Sequence, residues 1–278
     1  MIRLFNKLSF DTSKGITVAY STSFSLGIKT LDRSLHNPIY AIYGLVRYAD
    51  EIVDTFFDHD QEDLLKRFRK DTFLAIDEKI SLNPVLHSFQ LTVNKYKIRR
   101  DLIEAFFDSM EMDLFQSSHK RESYESYIYG SAEVVGLMCL QVFVNGNESE
   151  FNRLSPFAKS LGAAFQKVNF LRDIKSDYED RGRIYFPGVD FSFFDKDAKS
   201  RIEQDIQSDF DHALEGILLL PKEAKAGVYL AYKYYLKLFN KIKKTPASTI
   251  QEARIRVPNQ QKLWILLRTY AAGAVNLI

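Results

Sequence analysis

Between Leu161 and Pro187 the chain reads LGAAFQKVNFLRDIKSDYEDRGRIYFP, an apolar helix carrying one narrow polar stripe. Gln166, Asn169, Asp173 and Asp177 recur at steps of three, four and four. At about 100° per residue these groups share one helix face. Leu161, Ala163, Ala164, Phe165, Val168, Phe170, Leu171 and Ile174 occupy much of the remaining circumference. Burying an unpaired carboxylate is costly, and like charges at i and i+4 repel unless something positive lies between them. The stripe therefore faces either solvent or a cavity that holds a cation, and a lone DxxxD pair would favour solvent.

The pattern occurs twice. In PIYAIYGLVRYADEIVDTF, Tyr43, Arg47, Asp50 and Asp54 follow steps of four, three and four, with Ile42, Leu45, Val46, Tyr48, Ile52, Val53 and Phe56 on other faces. Two apolar helices with one acidic stripe each make a facing pair of carboxylate clusters. Oxygen-only ligands of this kind suit a hard cation such as Mg²⁺, which keeps waters and bridges carboxylates to substrate phosphates. The arrangement reads as a diphosphate-binding cage.

At these residues the chain resembles the squalene/phytoene synthase family of head-to-head prenyl transferases. Leu161-Gly162, Gln166, Asn169, Leu171, Arg172-Asp173, Asp177, Arg183, Tyr185 and Pro187 match its long motif. Arg47, Asp50, Glu51 and Asp54 match its other aspartate motif, and Ser21-Thr22-Ser23-Phe24 its N-terminal one. Tyr127, Ala132, Val135 and Gly136 resemble its central helix, with Glu133 where the family carries a small residue, a departure that bears on pocket shape. The resemblance runs from about Tyr20 to the last helices. It implies a single all-α catalytic domain over 1–278, a helical bundle of the isoprenoid synthase type with a central apolar cavity.

The resemblance further implies roles. Asp50, Asp54, Asp173 and Asp177 are the catalytic residues, and with Asn169 they are the Mg²⁺ ligands, Mn²⁺ being the alternative ion. Ser21, Ser23, Phe24, Tyr43, Arg47, Tyr127, Gln166, Asn169, Arg172, Arg183 and Tyr185 contact prenyl diphosphate. On residue type alone Ser21 and Ser23 would cap a helix; the resemblance assigns them to phosphate. The implied reaction ionises an allylic diphosphate and joins two prenyl units through a cyclopropyl intermediate. Geranylgeranyl diphosphate to phytoene is the leading expectation. Squalene or dehydrosqualene synthesis from farnesyl diphosphate is the rival, NADPH being needed only for squalene. A non-catalytic scaffold relative should have lost cage aspartates, and all are present. The full 161–187 match speaks against a terpene cyclase.

Composition agrees. With 46% hydrophobic residues in 278, and only 12 Gly and 7 Pro, the chain favours long helices over an all-β sandwich. A net charge of +2 is too small to imply nucleic-acid binding. The single cysteine, Cys139, excludes an intramolecular disulfide and a thiolate zinc site. The five histidines have no metal-ligand spacing. The N-terminus is too polar for a signal peptide, and no apolar run approaches the roughly 18 residues of a membrane span. A cytoplasmic protein is expected. Lys233, Lys237, Lys241 and Lys244 form a row that is either solvated or rests on an anionic membrane. No feature sets an oligomeric state.

Element boundaries follow from punctuation. Residues 1–19 read as an entry segment with a short helix. Asn37-Pro38 marks the start of the first aspartate helix, running to about Phe57, and Asp58-His59-Asp60 turns the chain into a helix over Leu64 to Ile80. Asn83-Pro84 starts another, toward Lys95. Residues 98–116 form an amphipathic helix whose Asp101, Glu104, Asp108, Glu111 and Asp113 read as a mostly solvated face. Residues 121–145 are core, and Asn145-Gly146-Asn147 is a turn. After the second aspartate helix come an aromatic segment at 189–196, helices at 198–217 and 221–244, and a basic element at 254–258 before a closing helix. Arg181 and Arg183 are candidates for phosphate contact or for pairing with the aspartates.

Overall fold

A computed structural model describes residues 1–115, 121–179, 183, 185–187, 195–250 and 255, and no strand occurs among them. Arg181, the aromatic segment 189–194 and, apart from Ile255, the basic element and closing helix lie outside the described residues.

The entry helix α1 (Ile2–Tyr20) is long, correcting the short helix expected. Its buried face is Ser9, Ser13 and Thr17, so it shows no apolar period. The small hydroxyls let it approach α3 and α5 closely: Ser13 Oγ lies 2.7 Å from Ser88 Oγ, and a Cβ on Gly44 would come within 2.8 Å of Ser13 Oγ. Ser21 then caps α2 (Thr22–Lys29), its Oγ accepting from the Phe24 N–H at 3.1 Å.

The first aspartate helix, α3 (Arg33–Asp54), begins earlier than Asn37-Pro38. Asp32 is its cap, accepting from the Ser34 N–H at 2.9 Å, and Pro38 sits in the second turn. The carbonyl that proline leaves unpaired belongs to Ser34 on the exposed first turn, where solvent satisfies it. The helix stops at Asp54, short of Phe57. Next come α4 (Gln61–Glu78), capped by Asp60, and α5 (Pro84–Tyr96), which starts at Asn83-Pro84 as expected. They are followed by α6 (Arg100–Phe115) and α7 (Arg121–Ile128).

A π-helical turn (Tyr129–Glu133) joins α7 to α8 (Val134–Phe143), the Val134 N–H reaching back to the Tyr129 carbonyl. By length and composition the run Glu122–Phe143 is apolar enough to cross a bilayer. Here it packs against α3, α6 and α9 as core. The Asn145-Gly146 turn, with φ of 52° and 69°, leads into α9 (Glu148–Glu179), the second aspartate helix. Then follow α10 (Lys196–Leu219), α11 (Lys222–Lys243) and the short α12 (Ala247–Ile250).

Two apolar clusters result. One is built from α3, α4, α5, α6 and α8, the other from α9, α10 and α11 with Tyr127, Tyr185 and Phe186. Lys167 pins α9 to α10 from a face well round from the polar stripe: its ammonium reaches Asp205 at 2.6 Å and Asp209 at 2.7 Å. Glycines set the closest approaches. A Cβ on Gly162 would lie 2.7 Å from the Ala132 carbonyl oxygen, and one on Gly227 3.0 Å from that of Gly27.

Candidate active site

Between the clusters lies a cavity of about 630 Å³. Apart from Arg181, which lies outside the described residues, every residue singled out from the sequence for catalysis, metal or substrate lines it. From α3 come Tyr43, Arg47, Asp50 and Asp54, and from α9 Gln166, Asn169, Asp173 and Asp177. The start of α2 contributes Ser21, Ser23 and Phe24, and Tyr127, Arg172, Arg183 and Tyr185 complete the set. Ser21 both caps α2 and hydrogen-bonds the Tyr43 hydroxyl. Of the two roles read from the sequence, capping and phosphate contact, the cap is seen, and the residue also lines the cavity.

The polar end is balanced by arginines. Arg183 Nη1 lies 3.0 Å from Asp54 Oδ1, Arg172 Nε donates to Asp173 Oδ1 at 3.0 Å, and Arg47 Nη1 lies 3.8 Å from Asp50 Oδ2. Arg47 also pairs with Glu51 and stands 4.3 Å over the Tyr20 ring. Its Nε is buried without a hydrogen-bond partner. Among the described residues no three acidic side chains converge as a preformed metal cluster. The donor set is nonetheless all oxygen on two facing helices. It fits a hard cation whose remaining ligands come from water and a phosphate-bearing substrate.

Asp113 corrects the sequence reading of α6. Asp101, Glu104 and Asp108 are paired on the surface with Arg99 and Arg69, whereas Asp113 is buried and lines the cavity. It accepts from the Tyr127 hydroxyl at 2.7 Å and the Tyr185 hydroxyl at 3.3 Å, and Arg183 stands 3.7 Å away. Burial pushes its carboxyl up to about 6, against the pull of Arg183 and the Tyr127 hydroxyl. Burial likewise raises Tyr127, reinforced by the Asp113 charge. A carboxylate on a helix full of surface carboxylates gives no sequence signal of this role. Only the tyrosines and Arg183, distant in sequence, disclose it.

Below the charges the walls are aromatic and aliphatic. Phe170 stacks on Tyr185 at 4.0 Å and 9°, with Tyr127 5.2 Å from Tyr185. Across the cavity Tyr235 of α11 stacks on Phe165 at 3.9 Å and donates to Asn169 Oδ1 at 3.4 Å. Tyr235 is a second residue missed, since no spacing links 235 to 169. π faces of this kind stabilise passing cations, and a dry cavity protects them from water. Glu133 is not among the lining residues. Its carboxyl is raised by burial and opposed by Lys159, so it sits off the cavity wall and leaves the pocket apolar there.

Comparison with known proteins agrees with this geometry. The squalene/phytoene synthase family model matches residues 17–261. The 4,4'-diapophytoene synthase of Staphylococcus haemolyticus is 23% identical over 267 residues, covering 88% of this chain and 91% of that protein. The 15-cis-phytoene synthase of Synechocystis is 26% identical over 291 aligned positions, covering 93% and 83%. Among solved structures, a dehydrosqualene synthase superposes with a TM-score of 0.81 at 20% identity, covering 96% of each chain. A squalene synthase from Alicyclobacillus acidocaldarius gives 0.76 at 18%, covering 86% of this chain and 94% of that one. The chain belongs to the squalene/phytoene synthase family, prenyl transferases that condense two prenyl diphosphates head to head.

Proposed function

We propose that this enzyme joins two geranylgeranyl diphosphates to give phytoene, without reduction, in carotenoid biosynthesis. The observation that carries the reading is the pair of carboxylate stripes facing each other at one end of a long apolar cavity. On α9 the lining runs from Leu154 to Asp177, about 34 Å at 1.5 Å per residue, room for a polyprenyl chain laid along the helix. At Gly216 and Gly227 the space a Cβ would take is filled by Phe157 and Leu31, which themselves line the cavity, so the preference for the C20 substrate over the C15 one rests on the length of the cavity. The phytoene synthases among the relatives support the same choice.

In this reaction the C–O bond of one diphosphate breaks and diphosphate leaves. The double bond of the second substrate attacks the allylic cation, and loss of a proton closes a cyclopropyl ring. The second C–O bond then breaks, the carbon skeleton rearranges, and a final proton loss gives the hydrocarbon. Mg²⁺ held by Asp50, Asp54, Asn169, Asp173 and Asp177 would neutralise the leaving diphosphate. Arg47, Arg172 and Arg183 supply fixed positive charge beside it. Tyr127, Phe170 and Tyr185 present ring faces to the cations, and the apolar walls exclude water. A cytoplasmic enzyme with α11 resting on the membrane belongs to the same proposal, supported by the exposed Lys233, Lys237, Lys241 and Lys244.

The test is incubation of purified protein and Mg²⁺ with geranylgeranyl or farnesyl diphosphate, with and without NADPH, and product identification by mass. A C40 hydrocarbon formed without NADPH is expected. A C30 product would transfer the assignment to dehydrosqualene synthesis, or to squalene synthesis if NADPH is required. No product from either substrate would overturn the reading.

A further inference from the structure

Asp113 is a buried carboxylate in the cavity wall that belongs to neither aspartate stripe. Its side chain is 6% exposed, against 27% for Asp54, and the Arg183 side chain between them is 11% exposed. Arg183 Nη1 lies 3.0 Å from Asp54 Oδ1 and 3.7 Å from Asp113 Oδ1. One buried cation thus serves two carboxylates, from α3 and from α6, and stands closer to the first.

The arginine is tied down at both ends. Its backbone N–H donates to the Asp177 carbonyl at 2.8 Å, which fixes its stem to the end of α9. Its Nη2 donates to the Asp113 carbonyl oxygen at 2.9 Å, so part of the guanidinium already rests on α6. The Asp113 carboxylate is itself held, by the Tyr127 hydroxyl at 2.7 Å and the Tyr185 hydroxyl at 3.3 Å. Closing the gap from 3.7 Å to an ordinary charged contact of about 2.9 Å takes a shift of about 0.8 Å. A guanidinium has five N–H donors, so pairing with Asp113 leaves others for the cavity that Arg183 lines.

Filling the cage shifts the balance between the two carboxylates. A divalent cation on Asp54 takes up that carboxylate's charge and repels the guanidinium beside it. A buried guanidinium stripped of its counter-charge is strongly destabilising, and Asp113 is already within 4 Å. In the empty site Asp113 is poorly compensated: burial pushes its carboxyl up to about 6, against the pull of Arg183. A carboxylate that is unfavourable while the arginine is shared gains a full partner once Asp54 turns to the metal.

We infer that Asp113 is a positioning residue: it takes Arg183 over from Asp54 when a metal–diphosphate group fills the cage, and so keeps the guanidinium in the wall beside the leaving group. The inference rests on the reading of the cavity as a prenyl diphosphate site and assigns α6 a part in it.

The test is a double-mutant cycle on Asp113→Asn and Arg183→Gln, read as binding of unreactive geranylgeranyl thiodiphosphate with Mg²⁺. Geranylgeraniol binding and thermal unfolding without ligand are the controls. Asparagine keeps the size of the side chain and an oxygen for the tyrosines, without the charge. Asp113→Asn should weaken thiodiphosphate binding by roughly tenfold to a hundredfold, the usual loss when a group that orients a metal site's surroundings is removed. Geranylgeraniol binding should stay unchanged, and the melting temperature at pH 7 should hold or rise. With Arg183→Gln already present, Asp113→Asn should change thiodiphosphate binding by no more than about twofold, because no guanidinium is left to hold. Unchanged or tighter thiodiphosphate binding in Asp113→Asn overturns the inference. So does equal weakening for both ligands, or a lowered melting temperature, either of which makes Asp113 a packing element. If the unaltered enzyme binds no thiodiphosphate, the site reading falls with the inference; if it binds and the two substitutions simply add, only the role of Asp113 falls.

Discussion

Substituting Gly162 by alanine tests whether close packing of α9 holds the polar stripe in place. The added Cβ would lie 2.7 Å from Ala132 O, 2.9 Å from Glu133 Cα and 3.0 Å from Ala132 C, all backbone atoms that cannot rotate away. Restoring ordinary contact requires α9 and the π turn to part by roughly 0.7 Å. Overpacking of this kind costs about 1–3 kcal/mol, while replacing a helical glycine by alanine returns about 1 kcal/mol. The net loss is about 0–2 kcal/mol, a fall in melting temperature of no more than about 8 °C. Catalysis is more sensitive, because a displacement near 1 Å costs about a hundredfold in rate. Gln166 and Asn169 follow Gly162 on the same helix, so turnover should fall by roughly tenfold to a hundredfold. The control is Gly15→Ala in α1, where an added Cβ meets nothing within 4 Å; it should stabilise the fold and leave turnover unchanged. Melting followed by circular dichroism and product followed by mass, with Mg²⁺ and geranylgeranyl diphosphate, measure both. Full turnover in Gly162→Ala, or stabilisation equal to that of Gly15→Ala, would refute the reasoning.

Asp50→Ala and Asp173→Ala should each lower turnover by at least about a hundredfold with an unchanged helical spectrum; activity retained in either purified variant sinks the cage argument. Asp113 carries a folded-state pKa of about 6 against an ordinary 3.8. Its contribution to stability is therefore fully present below the ordinary value and lost as pH rises through 6. Across pH 4 to 7 the unaltered protein should lose up to about 3 kcal/mol relative to Asp113→Asn, and parallel stability curves in urea would contradict this. Burial pushes the Cys139 thiol up to about 12, so at pH 8 it should react with a disulfide reagent far more slowly than in denaturant. Equal rates would show the thiol to be open.

How much was legible depends on what each residue had to announce. The two aspartate stripes were visible because polar side chains on a greasy helix stand out against the helical period. The sequence placed them on helices, and α3 and α9 bring them to one cavity. The length of α1 was hidden because Ser9, Ser13 and Thr17 bury a polar face. The start of α3 was misplaced because Asn37-Pro38 imitates a helix start while Asp32 does the capping. Asp113 and Tyr235 could not be picked out at all. Each is distinguished only by partners brought from far along the chain, Tyr127, Tyr185 and Arg183 for the first, Asn169 for the second.

The π turn at Tyr129–Glu133 makes the cavity wall adjustable in steps. It inserts one residue into an otherwise α-helical run, so α8 is set about 100° out of phase with α7. In this phase Val135, Gly136, Cys139, Leu140 and Phe143 line the cavity, while Val134, Leu137 and Met138 pack into the core. Deleting a single residue from the turn would straighten the helix and rotate a different set of side chains into the wall. Because Gly162 and Gly136 bring α9 into backbone contact with this run, such a deletion would also shift α9 and the aspartate stripe it carries. Pocket lining and charge cage are thus indexed by the same turn, and one codon is enough to move both.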